Sequence, residues 1–174
     1  GQGHSTERGL PLEWSETESI VWKTAVPGRG WSSPVVAGGR VWLTTATDTG
    51  GGSLRLVSVD VVSGRVMTNT EVFRVPGGPS PNAKNSRASP TPIVHGDRVY
   101  VHFGAEGTAA ATAAGEVVWR TVLPYRSQHG NGGSPVLYED LLIVSCDGAD
   151  DAYVVALDVK TGRIRWRTPR ARPF

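Results

Sequence analysis

The fold of this chain is decided by the stretch Ala156–Trp166, which reads ALDVKTGRIRW. An apolar strand leads into an aspartate, a Thr161-Gly162 turn follows, and a second strand carries a tryptophan. Glycine supplies the positive φ that such turns need. Asp158 lies four residues before the glycine, where its carboxylate is placed to accept backbone N–H bonds and brace the loop. The stretch therefore predicts a β-hairpin with a fixed turn.

The same unit occurs twice more in a decayed form. Residues 56–66 keep Asp60 and Gly64, whereas residues 109–119 keep Gly115 and Trp119. The turn glycines are spaced 51 and 47 residues apart. Because self-similarity at such a period is typical of repeat architectures, the chain is expected to consist of stacked units.

A second unit precedes each of these and reads small residue, proline, apolar strand, turn and apolar strand. Its copies occupy residues 32–43, 89–101 and 133–144. Two hairpins in about 45 to 50 residues make a four-stranded antiparallel sheet, the size of one propeller blade. The sequence therefore predicts an all-β fold, a partial β-propeller with blades at residues 31–74, 86–123 and 132–169.

Tryptophans recur at the predicted outer strand of these units. Trp22, Trp119 and Trp166 are each followed by Lys or Arg and then by Thr. An indole at this position is expected to wedge between adjacent sheets and to bury about 150–250 Å².

The remaining segments are expected to connect or extend the blades. Residues 1–30 include an orphan outer strand near 20–26, assigned to a ring-closing blade; residues 75–85 and 124–131 are loops, and residues 170–174 begin a next blade. The chain is thus interpreted as part of a larger ring, with other blades of the same propeller as partners. Each terminal sheet is expected to expose an apolar face and unpaired edges, which favours self-association.

Composition excludes several classes of protein. Hydrophobic residues make up 39% of the chain, too many for a disordered segment, and no apolar run is long enough to span a membrane. The net charge is +2, and the arginines near the C-terminus alternate along a strand, as on a solvated face. No nucleic-acid partner is therefore expected. The single cysteine, Cys146, excludes an intrachain disulfide and a cysteine-rich metal site.

Three loops that enter the innermost strands provide the candidate binding site, because loops on a rigid scaffold carry function. Trp31 is suited to stacking on a flat ligand, Arg87 to pairing with a carboxylate, and Asn85 and His129 to orienting polar groups. The alternative is that these residues brace the loops of a structural propeller.

A further loop, residues 147–151, is rich in carboxylates. Asp147, Asp150 and Asp151 suit a hard cation such as Ca²⁺, but the loop lacks the spacing of an EF-hand, so a solvated turn is the alternative. No nucleophile elbow, P-loop or dinucleotide fingerprint occurs, and no catalytic residue is assigned.

The stretch 156–166 matches the A-x-D-x-x-T-G-x-x-x-W tryptophan-docking motif position for position, so the chain resembles the bacterial PQQ-binding-like β-propeller repeat proteins. That family includes quinoprotein alcohol dehydrogenases and the scaffold lipoprotein of the outer-membrane β-barrel assembly machinery. The resemblance implies a periplasmic or secreted protein. It leaves two functions open: a noncatalytic module that binds a protein or a small ligand, or a fragment of a PQQ-dependent dehydrogenase.

PQQ itself is implied by the resemblance alone. Quinoprotein dehydrogenases stack the cofactor beside a vicinal cysteine pair, and they hold Ca²⁺ with Glu and Asn ligands. Only Cys146 is present here. The noncatalytic module is accordingly the leading expectation from the sequence.

Overall fold

The structure is a computed structural model that describes residues 4–47, 52–76, 82, 84–127, 129–149 and 151–171. Within these ranges the chain forms β-strands and one short 3-10 helix, Gly104–Glu106. The strands are β1 (Val35–Ala37), β2 (Arg40–Thr47), β3 (Ser53–Asp60), β4 (Val66–Arg74), β5 (Ile93–His95), β6 (Arg98–His102), β7 (Thr108–Thr112), β8 (Val117–Thr121), β9 (Val136–Tyr138), β10 (Leu141–Cys146), β11 (Tyr153–Asp158) and β12 (Ile164–Pro169).

The described strands form three four-stranded sheets in the orders β1-β2-β3-β4, β5-β6-β7-β8 and β9-β10-β11-β12. Every neighbouring pair is antiparallel. This meander order is the arrangement of a propeller blade. The prediction of an all-β chain built from three such blades is therefore confirmed.

Tight turns close the hairpins as the sequence predicts. Gly64, Gly115 and Gly162 have φ angles of 71°, 92° and 70°. In the first of these turns Asp60 Oδ1 accepts bonds from the backbone N–H groups of Val62 and Ser63, at 3.2 and 2.7 Å. These bonds stabilise the ionised carboxylate and hold the turn closed.

The turn between β11 and β12 is held by the same kind of hydrogen bonds. Asp158 Oδ1 accepts bonds from the backbone N–H and the hydroxyl of Thr161, each 2.9 Å long. The bonds from Thr161 hold the pKa of Asp158 below its ordinary value. In the same way the bonds from Ser63 lower the pKa of Asp60.

Apolar side chains fill the space between the first two sheets. Trp42, Leu54 and Leu56 of the first sheet form one buried cluster with Val99 and Phe103 of the second. The two sheets are therefore held together by burial, which contributes about 2 kcal/mol for each large side chain.

A second cluster joins the middle sheet to the third. Trp119 and Leu123 belong to it together with Leu142, Val155 and Leu157. The middle sheet thus contributes to both cores, as a wedge between two neighbours does.

Strand β7 shows how one strand serves both cores. Ala109 and Ala111 belong to the first cluster, whereas Ala110 belongs to the second. Their side chains are 0–1% exposed. Because side chains alternate across a strand, each face of β7 meets a different sheet.

Hydrogen bonds connect the segments that lead into the innermost strands. The Trp31 N–H donates to the Ala88 carbonyl at 3.0 Å, and the Thr91 N–H donates to Ser134 Oγ at 2.9 Å. These bonds join the inner edges of successive sheets, as is expected of neighbouring blades in a propeller.

An indole–turn contact joins the third sheet to the second. Trp119 Nε1 donates to the Val159 carbonyl at 3.0 Å, and the Thr121 hydroxyl donates to the Gly162 carbonyl at 2.6 Å. The ring lies against Gly162 so closely that an added Cβ would be 2.5 Å from Trp119 Cε3. Trp119 is only 8% exposed.

The same contact occurs where residues 20–26 meet the first sheet. Trp22 Nε1 donates to the Val61 carbonyl at 3.0 Å, and Thr24 donates to the Gly64 carbonyl at 2.5 Å. A Cβ at Gly64 would lie 2.7 Å from the Trp22 ring. The expected outer strand near residues 20–26 is not formed, since these residues belong to no strand of the structure.

Between the first and second sheets a smaller residue takes the place of the indole. Thr68 occupies the position in β4 that Trp119 occupies in β8, and its Cγ2 would be 2.4 Å from a Cβ at Gly115. Trp166, at the same position in β12, is 39% exposed.

Replacement of the glycine beneath an indole should be far more destabilising than replacement of a similar glycine in open space. Gly162→Ala combines a φ of +70° with the Trp119 overlap, whereas Gly96→Ala has a φ of +57° and no atom within 4 Å of the new Cβ. We expect urea unfolding to show a loss of about 3 kcal/mol for Gly162→Ala and about 1 kcal/mol for the Gly96→Ala control. Equal losses would contradict the contact.

A buried histidine should make the stability of the fold depend on pH. His102 is 1% exposed and its Nδ1 lies 2.9 Å from Thr108 Oγ1; burial lowers its pKa to about 4. The unfolded chain therefore binds the proton more tightly, so stability is lost as the pH falls from about 6.5 towards about 4. Between pH 7 and pH 4.5 we expect the free energy of unfolding to fall by about 2 kcal/mol from this residue.

The His102→Gln variant tests the assignment. It is expected to be less stable at pH 7, yet to lose less further stability on acidification than the unaltered chain. The measurement is urea unfolding followed by circular dichroism at both pH values. An unchanged loss in the variant would show that other groups cause the dependence.

Candidate functional site

The loops that precede β5 and β9 meet in one cluster. Asn85 Nδ2 donates to the His129 carbonyl at 2.9 Å and to the Asn131 carbonyl at 3.1 Å, while Asn82 Nδ2 lies 3.3 Å from His129 Nδ1. Three of the four predicted ligand-binding residues, Asn85, Arg87 and His129, therefore lie in these two loops.

A cavity of about 200 Å³ opens beside this cluster, and we call it the loop cleft. It lies between the loop after β6 and the loops that precede β5 and β9. Its lining includes Ser86, Arg87, Phe103, Glu106, Tyr125 and Asn131.

An ion pair forms one wall of the loop cleft. Arg87 NH1 lies 2.6 Å from Glu106 Oε1, and the two side chains are 19% and 34% exposed. Arg87 Nε is buried and has no hydrogen-bond acceptor among the described residues. The Glu106 carboxylate thus holds the guanidinium in place, while the Nε–H group of Arg87 donates to none of the described residues.

Asn85 acts as the brace of the cluster. Besides its two donated bonds, its Oδ1 accepts from the Ser86 N–H at 2.8 Å and from the Ser89 hydroxyl. An amide offers two donor hydrogens and two acceptor lone pairs, and all four are used here. The side chain therefore fixes the loops and has no hydrogen-bonding capacity left for a ligand.

A tyrosine and an asparagine close the cleft from the third sheet's side. The Tyr125 hydroxyl donates to Asn131 Oδ1 at 2.6 Å, and burial raises the pKa of Tyr125. The Asn131 side chain occupies the place of the missing side chain at Gly104, where a Cβ would lie 1.6 Å from Asn131 Nδ2. Gly104 has a φ of 68°, so glycine is required there for two reasons.

Trp31 lies apart from the loop cleft. It is 59% exposed, and only its backbone approaches the cluster, through the bond to the carbonyl of Ala88. The sequence did not point to Glu106, Tyr125 or Asn131. Gly104, which begins the short helix, and Gly107, which follows it, were the available signal.

The carboxylates of the 147–151 loop are held by arginines. Asp147 forms an ion pair with Arg170, and Asp151 lies 2.6 Å from Arg167. Asp150 lies outside the described residues. Across the described ranges, no group of three or more His, Cys, Asp or Glu side chains is arranged to hold a metal ion.

The residues of the loop cleft decide whether it suits PQQ, the cofactor that the family resemblance implies. PQQ is a flat quinone that carries carboxylates, so its site needs several cationic or N–H donors around a slot. Here Arg87 is paired with Glu106 and the Tyr125 hydroxyl donates to Asn131. The residues of this cleft therefore do not fit PQQ.

In the described parts of the chain, no helix has the length and apolar character needed to cross a bilayer.

The fold is shared with several solved structures. Quinohemoprotein alcohol dehydrogenase from Comamonas testosteroni superposes with a TM-score of 0.62 at 19% identity, over 82% of this chain and 21% of that one. Quinohemoprotein alcohol dehydrogenase ADHIIG from Pseudomonas putida HK5 gives 0.63 at 19% identity, over 85% and 22%. BamB from Moraxella catarrhalis gives 0.62 at 19% identity, over 87% and 41%.

The chain thus spans between about a fifth and two fifths of the length of these proteins. No curated protein is similar enough in sequence to count as a relative. A family profile described as outer membrane protein assembly factor BamB matches residues 5–171, nearly the whole chain. Together with the three four-stranded sheets, this match shows that the chain belongs to the BamB-like family of PQQ-type β-propeller repeat proteins.

Proposed function

We propose that this chain is a noncatalytic binding and scaffolding module of an extracytoplasmic bacterial protein, either periplasmic or secreted. Its partner is a protein, and its contact surface comprises Trp31 and the mouth of the loop cleft around Arg87. The blades correspond to residues 31–74, 86–123 and 132–169, and they operate beside other blades of the same propeller.

The observation that carries this proposal is the rigid bracing of the loops. Asn85 uses its full hydrogen-bonding capacity on its neighbours, and Arg87 is fixed by Glu106. A pre-organised surface loses little conformational entropy when a partner binds, which favours recognition.

An exposed aromatic side chain is connected to this braced surface through its backbone. Trp31 is 59% exposed, while its N–H is anchored to Ala88, the neighbour of Arg87 in the chain. Tryptophan and arginine are the residue types most enriched among the side chains that dominate protein interfaces. The pair therefore suits a protein partner better than it suits a small polar ligand.

The family supports the same class of partner. Its description names an assembly factor for outer membrane proteins. By that analogy the partner is a protein of the cell envelope, whereas the dehydrogenases share only the fold at 19% identity.

Photo-cross-linking tests the surface. A cross-linking residue at position 31 is expected to capture one envelope protein that the same residue at position 62 does not capture, because Val62 is 77% exposed but lies on an outer turn. The captured protein is then purified separately and titrated against the chain. We expect the Trp31→Ala/Arg87→Ala variant to bind it at least about 10-fold more weakly. Equal capture from both positions, or equal affinity, would contradict the proposal.

Reconstitution tests the rival function, a fragment of a quinoprotein dehydrogenase. The chain is incubated with PQQ and Ca²⁺, and cofactor absorbance and dye-linked oxidation of an alcohol are measured. We expect neither signal, since the cleft residues are paired with one another. Alcohol oxidation that depends on both additions would overturn the noncatalytic assignment.

A further inference from the structure

The loop cleft lies between two adjacent sheets and holds an unused hydrogen-bond donor. Its walls come from the loop after β6 and from the loops that precede β5 and β9. These loops belong to the second and third sheets, both of which are part of this chain. The cleft is therefore formed by the chain's own residues.

The guanidinium of Arg87 has two different edges. Glu106 Oε1 lies 2.6 Å from Nη1, whereas Nε is buried and donates to none of the described residues. In a guanidinium the Nε–H points along the edge shared with Nη2, away from Nη1. Such an edge matches a carboxylate through two parallel hydrogen bonds. Because a buried N–H without an acceptor is unfavourable, a carboxylate that reaches this edge is bound favourably.

The charges around the loop cleft also favour an anion. Arg87 and Arg126 contribute positive charges to the described lining, in which Glu106 is the single carboxylate. One further carboxylate balances these charges. Phe103 and Tyr125 add aromatic rings to the lining, so the cleft also suits the aliphatic stem that carries a carboxylate.

The size of the loop cleft limits what can enter it. Its volume of about 200 Å³ is below the range of about 300–1,000 Å³ that is typical of pockets for drug-sized ligands. The cleft therefore has room for one acidic side chain, and glutamate reaches further into it than aspartate because its stem is one methylene longer.

We propose that the loop cleft receives the side-chain carboxylate of a glutamate from the protein partner. This inference rests on the proposed function, since it names the residue that the partner inserts. The carboxylate binds the Nε edge of Arg87, and the guanidinium turns about its bond to Glu106 to bring the covered Nε–H to it. Glu106 is then a positioning residue, and its negative charge opposes the incoming carboxylate.

A small probe tests the site without the partner. Acetyl-glutamate amide is titrated into the whole chain at constant ionic strength, and acetyl-glutamine amide is the matched neutral control. The readout is the Arg87 Nε–H resonance in heteronuclear NMR spectra, identified by its loss in the Arg87→Lys variant. We expect the glutamate probe to shift this resonance in a saturable way and the glutamine probe to leave it unchanged.

A charge variant separates binding from a structural effect. Glu106→Gln keeps an oxygen that accepts from Nη1 but removes the negative charge, so it should bind the glutamate probe at least about threefold more tightly. Glu71→Gln is the matched control, because Glu71 is paired with Arg74 at 3.1 Å and is 32% exposed, and its affinity should equal that of the unaltered chain. Damage to the fold does not produce a gain in affinity.

Several results would overturn the inference. They are an unshifted Arg87 resonance, equal or weaker binding by Glu106→Gln, and tighter binding of acetyl-diglycine, whose carboxylate is a chain end. Each of these leaves the cross-linking result at position 31 untouched. Equal capture from positions 31 and 62, in contrast, contradicts the proposed function even where the probe binds.

Discussion

A sheet with two apolar faces needs a neighbour on each side, and this constraint shapes the whole chain. In β3 consecutive residues are buried, with Leu56, Val57 and Ser58 all 0% exposed. A lone four-stranded sheet cannot remove both faces from water, so the sheets stack. At Gly162 the indole–turn contact then fixes how the second sheet meets the third, whereas Thr68 takes the place of the indole between the first and second sheets.

This contact combines several individually weak interactions into one specific interface between two sheets. The glycine provides both the positive φ and the space, and the aspartate holds the turn in the shape that exposes two carbonyl groups to the next sheet. In the joint at Gly162, the indole N–H and the threonine hydroxyl satisfy those carbonyls. Burial supplies most of the free energy, while the hydrogen bonds set the register.

Repetition made the fold predictable from sequence, because each sheet follows the same pattern of turns and strands. The glycine turns and the Asp158 brace could be read directly, since they depend on residues a few positions apart. The loop cleft could not, because the loop before β9, with its Tyr125–Asn131 bond, meets the Arg87–Glu106 pair of the second sheet's loops only in the folded chain. The contact of Thr68 with Gly115 was equally unpredictable, because no neighbouring residue indicates that a threonine replaces an indole there.

The alanines of β7 leave room for a neighbouring sheet on each face of the middle sheet. Ala109 and Ala111 separate the middle sheet from the first, and Ala110 separates it from the third. A larger side chain at Ala110 would rotate the third sheet outwards and leave the other gap unchanged. The two interfaces of the middle sheet can therefore be altered separately, because consecutive residues of one strand face different neighbours.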